Sequence, residues 1–256
     1  AVTLGSSKGT LVLPDHDPEL IERAKKRKAQ ILFFGKERTS DFRMTNLKIA
    51  DGWIEFIVNE RWSFRFPGNA AFQAQNALAA LAASFACGVS LGELPSVWKD
   101  VIFPPGRFEI LDPGDGITFV NDCYNANPFS FEKALEAFRD LDSRGRKILV
   151  LGDMLELGFD SRFYHRTLGE RIGHMDFQAL LGFGNEMEET IEVCEALGNP
   201  PLALHFEDKA MLVHFLSSFL RTGDQVLFKA SRGMRLDEVI RALSVPLSAA
   251  RTQPRL

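Results

Sequence analysis

Four points along this chain gather side chains able to hold a ligand, and each follows an apolar run. After "ITFV" come Asn121-Asp122-Cys123-Tyr124-Asn125-Ala126-Asn127-Pro128. Asp122 offers a carboxylate acceptor and Asn125 an amide, a combination suited to ribose hydroxyls or a base edge. Asn127 before Pro128 also reads as a helix start, because Asn caps and proline needs no amide hydrogen in the first turn. Binding and structural readings of this segment both stay open. After "KILVL" stand Gly152-Asp153-Met154-Leu155-Glu156-Leu157-Gly158, where Asp153 at the strand's carboxyl end reads by itself as the cap of the following turn. After "DQVLF" stand Lys229-Ala230-Ser231-Arg232-Gly233. Two cations and a hydroxyl at a helix start make an anion site, with solvated cations and a capping serine as the alternative. The fourth point, "LLGFGNEMEET", has a partial Gly-x-Gly turn without the third glycine or the later acid of a dinucleotide site, so its glycines read as turn residues.

Other chemistries are missing. "FGKERTS" contains Gly-Lys but neither the earlier glycine nor the following hydroxyl of a phosphate loop, and no Gly-x-Ser-x-Gly elbow occurs. The five histidines are scattered with no His-x-x-x-His pair, so no metal site is expected, and His165 within a helical pattern reads as structural or solvated. A net charge of −4 argues against a nucleic-acid surface. Cys87, Cys123 and Cys194 are odd in number and lack ligand spacing, which favours a reducing compartment. "ALAALAASFACGV" is too short to span a bilayer, and "AVTLGSSKGT" does not have the pattern of a signal peptide. With no initiator Met, the chain reads as a piece of something longer.

The elements that must position these groups fall into two sets. "TLVL" and "AQILFFG" flank the helical "PELIERAKKRK" as a small βαβ pattern, and "FRMTNLKIADGWIEFIVNERWSFRF" alternates and turns at Asp51-Gly52. "NALAALAASFACG" places Leu78, Leu81, Ala82 and Phe85 on one helical face and stops at Gly88. The proline cluster in "LPSVWKDVIFPPGR" marks a boundary near 103/104. Beyond it, "FEILDPGDGITFVND" reads as a hairpin turning at Pro113-Gly114, followed by a helix with Phe131, Ala134, Leu135 and Phe138 at core spacing. "KILVLGD", "FQALLGFG", "PLALHF" and "DQVLFKAS" are four further strands separated by helices, and "RGMRLDEVIRALS" closes the series. The fold class is therefore α/β, with a mainly parallel sheet covered by helices on both faces. Ligands in such sheets sit outside the carboxyl ends of the strands, where the groups above stand. The tail from 247 to 256 is expected to be disordered.

In order and spacing, "PPGRFEIL", "NDCYNANPFS", "VLGDMLELG", "YHRTLGERIG" and "FKASRGMRLDEVIRAL" resemble the Mur ligase family, in the branch that adds D-alanyl-D-alanine to a peptidoglycan precursor. The resemblance runs over nearly the whole chain. It implies that residues 1–103 are the end of a central ATPase domain and 104–246 a Rossmann-like C-terminal domain, with the phosphate loop, the magnesium ligands and a modified lysine upstream. It implies ATP and Mg2+ as cofactors, UDP-N-acetylmuramoyl-tripeptide and D-alanyl-D-alanine as partners, and a cytoplasmic bacterial monomer with no nucleic-acid or membrane partner. In the family the C-terminal domain closes over ATP. By resemblance Arg107 of "PPGR" is the catalytic cation at the phosphates, Asp122 accepts from the ribose, Asn125 helps hold the nucleotide and Asn76 lies near the adenine. Asn127, Asp153, Lys229, Ser231 and Arg232 fall to the dipeptide side, where Asp153 and Arg232 could meet the two charges of a zwitterion.

The chain departs from the family pattern in places. Phe72 and Gln73 stand where His and Asn are usual, "PDHDP" replaces Asn-Ala-Asp-Asp, and Cys123 replaces the Ser after the ribose Asp. On this basis the chain is expected to be a ligase portion inactive alone. A non-catalytic nucleotide- or partner-binding module of the same fold is the alternative.

Overall fold

The computed structural model describes residues 9–26, 29–142, 145–200 and 202–244, so the N-terminal reading of residues 1–8 and the expected tail disorder at 247–256 lie outside the described residues. The chain forms two compact units, residues 1–102 and 103–256.

In the first unit, β1 (Thr10–Pro14), α1 (Pro18–Lys25) and β2 (Gln30–Gly35) form the expected parallel βαβ pattern. Asp17 caps α1 by accepting from the Leu20 amide at 2.9 Å. β3 (Phe42–Ala50), β4 (Trp53–Val58) and β5 (Trp62–Pro67) extend the sheet in the order β1-β2-β3-β4-β5, with β3, β4 and β5 antiparallel. The β3–β4 turn is Asp51-Gly52, both at positive φ (51° and 75°), as a tight hairpin turn requires. α2 (Ala71–Ala86) buries Leu78, Leu81 and Ala82. Phe85, expected on that same face, is 49% exposed; at the last turn its ring meets Phe42 edge-on, 5.4 Å between centroids.

The second unit alternates β6 (Glu109–Gly114), β7 (Ile117–Asp122), α3 (Pro128–Asp140), β8 (Lys147–Gly152), α4 (Ser161–Gly173), β9 (Ala179–Phe183), α5 (Met187–Leu197), β10 (Ala203–Phe206), α6 (Lys209–Phe219), β11 (Gln225–Lys229) and α7 (Asp237–Leu243). Its sheet runs β10-β9-β8-β11-β7-β6, parallel throughout except for β6. The doubly apolar strands explain the layering. Ile148, Val150, Val226 and Phe228 pack with Leu212 and Leu216 of α6 and with Val239, Ile240 and Leu243 of α7. The intervening Leu149, Leu151 and Leu227 are equally buried, so helices must cover both faces.

The β6–β7 hairpin turns at Asp115-Gly116 (φ 56° and 69°) and not at Pro113-Gly114. Two positive φ values are needed there. Proline is fixed near −65° and cannot supply one, so Pro113 stays in the edge strand.

The chain leaves β7 through α3 into β8, and β11 later enters the gap between them. The carboxyl ends of β7, β11 and β8 are thereby neighbours: Lys229 pairs in register with Asp122 on one side and Leu151 on the other. Phe131, Ala134, Leu135 and Phe138 of α3 are all buried, and Phe138 stacks on Phe177 at 6.0 Å. Phe138→Ala should lower unfolding stability by about 3–5 kcal/mol, the range for a buried aromatic truncation, as measured by urea denaturation of the chain.

Candidate functional site

The carboxyl edge of this sheet holds two groups of polar side chains that meet at the end of β11. The first centres on Asp122. Its Oδ1 accepts from the Phe108 amide at 3.0 Å, and its Oδ2 accepts from Lys229 Nζ at 2.5 Å. Lys229 is only 1% exposed and Asp122 14%. Nζ also donates to the Asn125 carbonyl at 3.2 Å and lies 5.2 Å from the Phe131 ring centre. The parallel register sets this pairing, because it brings the last residues of β7 and β11 side by side. Burial holds the Asp122 carboxyl above the usual Asp value, against the pull of Lys229, the Phe108 amide and Arg107.

That ion pair also fixes the loop carrying Arg107. Gly106 sits at φ 75° and Phe108 at φ 55°. The Gly106 carbonyl accepts from the Tyr124 amide at 3.0 Å, and the Gly106 amide donates to Glu109 Oε2 at 3.0 Å. A Cβ on Gly106 would come within 3.2 Å of the Tyr124 backbone nitrogen, which is tight as well as strained. The outcome is an exposed Arg107 with its guanidinium 4.1 Å from the centre of the Tyr124 ring, a cation–π contact. Asn125 is also exposed, its Oδ1 accepting from the Ala126 amide at 2.8 Å. Arg107, Asp122 and Asn125 are therefore brought together. Asn127 stands one step on, exposed, capping α3 through the Ser130 amide at 2.8 Å.

The second group surrounds the loop after β8. Asp153 is 5% exposed, and its Oδ1 accepts from the Met187 amide at 2.9 Å at the start of α5. Burial raises this carboxyl, opposed by the Glu186 and Met187 amides. The second glycine of "GFG" makes room for it: a Cβ on Gly184 (φ 107°) would fall 2.5 Å from Asp153 Oδ2. Ser231 is buried, donates its amide to the Asp153 carbonyl at 3.1 Å and accepts from the Leu155 amide on Oγ at 2.9 Å. Arg232 is exposed. Of the residues expected on the dipeptide side, Asp153, Lys229 and Ser231 thus face inward onto protein partners, while Asn127 and Arg232 face solvent.

Asn76 lies on α2 in the first unit, exposed. Gln73 is buried there and accepts from the Asn69 and Ala70 amides at 2.8 and 3.0 Å, so it serves the start of α2. Two contributors were not singled out in the sequence, Tyr124 as the rest for Arg107 and the Phe108 amide as a donor to Asp122, while His165, expected to be structural or solvated, is fully buried and accepts from the Met154 amide at 3.0 Å. Only the proximity of Tyr124 to Asp122 offered any signal. The Phe108 amide has no side-chain signature at all. Cys123 and Cys194 are buried and free of disulfides, their thiols pushed upward by burial, that of Cys194 to about 12, so neither is poised as a nucleophile. Among the described residues no group of three or more His, Cys, Asp or Glu could hold a metal, and no helix is long and apolar enough to cross a membrane.

Residues 106–232 match the family model described as Mur ligase, glutamate ligase domain. The UDP-N-acetylmuramoyl-tripeptide–D-alanyl-D-alanine ligase of Bacillus subtilis is 28% identical over 217 residues, spanning 84% of this chain and 48% of that protein. The ligase of the same name from Treponema pallidum is 32% identical over 183 residues, 72% of this chain and 39% of that protein. The crystal structure of the MurF ligase of Thermotoga maritima in complex with ADP superposes with a TM-score of 0.76 at 27% identity, covering 96% of this chain and 55% of that one. The chain spans about half the length, or less, of the relatives it matches.

Removing Lys229 tests the pair. Asp122 has a raised folded pKa, so its protonated form favours folding; that contribution is full below the ordinary value of 3.8 and is lost as pH rises through the folded pKa. Lys229→Met takes away the opposing cation and moves this window upward. Chemical denaturation should show Lys229→Met destabilised by about 3–5 kcal/mol at pH 8 and by less at pH 5. Adding Asp122→Asn should recover most of the loss.

Proposed function

We propose that this chain, whose residues 106–232 belong to the Mur ligase family, is part of an ATP-dependent ligase joining D-alanyl-D-alanine to UDP-N-acetylmuramoyl-tripeptide. A carboxylate oxygen is a poor leaving group, so the tripeptide carboxylate first takes the γ-phosphoryl group of ATP, giving an acyl phosphate and ADP. The dipeptide amine then attacks the carbonyl carbon; its proton is lost, the C–O bond breaks, and phosphate departs with the electron pair. Such a reaction needs positioning and neutralisation of spreading charge more than a protein nucleophile.

The observation that carries this reading is the clustering of Arg107, Asp122 and Asn125 at one strand end in a domain of this family. Arg107 leaves Tyr124 to approach the phosphates, where a planar guanidinium suits spread negative charge. Asp122 accepts from the ribose hydroxyls with lone pairs that Lys229 and Phe108 leave open, and the Asn125 amide adds a nucleotide contact. Asn76 is the candidate for the adenine side. Lys229 acts through Asp122 and does not touch the dipeptide. Arg232 meets the dipeptide carboxylate and Asn127 lends an amide, while Asp153 and Ser231 shape the loop beside them. Magnesium, which the family implies, would be held by residues outside this chain. The protein is read as a cytoplasmic monomer, and the chain alone as inactive.

Coupled phosphate release by the full-length gene product should require both UDP-N-acetylmuramoyl-tripeptide and D-alanyl-D-alanine. Arg107→Ala should lower kcat by about 100- to 1000-fold, the loss expected for one positioned electrostatic partner. Turnover near that of the wild type would remove Arg107 from the site. Phosphate release independent of the dipeptide would overturn the assignment.

A further inference from the structure

We infer that His165, as a neutral imidazole carrying its proton on Nδ1, is the positioning residue for the dipeptide-side loop 152–158. The identity of the substrate this loop serves rests on the ligase reading above; the clamp itself rests on geometry. His165 is fully buried in the middle of α4. Its Nδ1 lies 2.9 Å from the Ser161 carbonyl, which can only accept, so Nδ1 bears the proton. Nε2 is then bare and accepts from the Met154 amide at 3.0 Å. The imidazolium and the other tautomer would each set an N–H against the Met154 N–H, so one protonation state alone fits.

The loop needs such a hold. Within it Glu156 and Gly158 both stand at positive φ (65° and 60°), and a glutamate in that region is held there against its preference. Three consecutive residues, 153 to 155, are gripped from three elements: Met154 by His165 of α4, Leu155 by the Ser231 hydroxyl after β11, and Asp153 by the Met187 amide of α5. Leu155 lies against Gly233, where an added Cβ would meet its Cδ1 at 2.8 Å, so the loop runs directly beside Arg232. The His165 carbonyl in turn accepts from Thr190 Oγ1 at 2.8 Å, tying α4 to α5. The acids around this imidazole are Asp153, engaged at α5, and Glu186, which accepts from Ser161 Oγ at 2.9 Å. An apolar side chain would fill the same space without desolvating two ring nitrogens, so the imidazole's place is explained by the amide it holds.

Two substitutions separate positioning from packing. His165→Phe keeps a ring without an acceptor; His165→Gln restores an acceptor near Nε2. In the 256-residue chain, hydrogen exchange read by NMR should speed up at Met154 by roughly tenfold in His165→Phe, the worth of one buried hydrogen bond, with Leu149 and Val150 of β8 unchanged. His165→Gln should return Met154 to within about threefold of the wild type. In the full-length gene product, KM for D-alanyl-D-alanine should rise about tenfold in His165→Phe and recover in His165→Gln, with KM for ATP unaltered. Should His165→Phe fail to fold, the ring nitrogen shifts of the wild-type chain decide: a protonated Nδ1 and bare Nε2 are expected, and an imidazolium or the reverse tautomer at neutral pH overturns the proposal. Undiminished Met154 protection in His165→Phe also overturns it, as would equal rises in both KM values. If the wild-type gene product does not ligate the dipeptide, the ligase reading fails and the clamp is judged on the exchange data alone.

Discussion

The carboxyl edge of the sheet depends on one buried ion pair, Lys229 with Asp122. Enclosing two charges is expensive, and their attraction in the interior does little better than cancel that expense, so the pair's value is not chiefly stability. Its value is position. One ammonium ties the ends of β7 and β11 and holds the Asn125 carbonyl, while the partner carboxylate anchors the Phe108 amide. The two loops carrying Arg107 and Asn125 therefore hang from the same contact. Without it, the positive-φ turn at Gly106–Phe108 loses its anchor on Asp122 and is left to its contacts with Tyr124 and Glu109.

The last residue of β11 and the two that follow it serve both halves of the candidate site. Lys229 faces the β7 side, and Ser231 faces the β8 side through the Asp153 carbonyl and the Leu155 amide. A shift of this strand end would move both halves together. The inserted position of β11 between β7 and β8 makes that possible, because a strand at the sheet's edge could touch only one of them. The groups that face solvent, Arg107, Asn125, Asn127 and Arg232, are set on loops braced from beneath by buried polar contacts. Such bracing is what precise placement of a ligand-binding group requires.

The strands and helices of both units were legible in the sequence because their apolar spacing matches the burial the structure shows. The departures have local causes. Pro113 sits close enough to glycine to look like a turn, but the positive-φ requirement moves the turn to Asp115-Gly116. Phe85 keeps helical spacing yet falls in the last turn of α2, half exposed, with its ring edge-on to Phe42. At the candidate site, residue types announced where polar groups gather, because acids and amides at strand ends are visible in one dimension. Whether a group faces a ligand or a neighbouring amide was not visible. Lys229, Asp153 and Ser231 look like ligand groups in sequence and face inward in the structure, since their partners are backbone amides, a carbonyl and a carboxylate that only the fold brings near. His165 shows the converse: a lone histidine without spacing partners, given its task by a loop eleven residues away.

The most direct test of the central claim is a crystal structure of the full-length gene product with a non-hydrolysable ATP analogue. Asp122 should lie within hydrogen-bond distance of the ribose hydroxyls while Lys229 stays paired to it, with the Arg107 guanidinium lifted from Tyr124 toward the phosphates. A nucleotide seated beyond the reach of the Asp122–Lys229 pair would contradict the account.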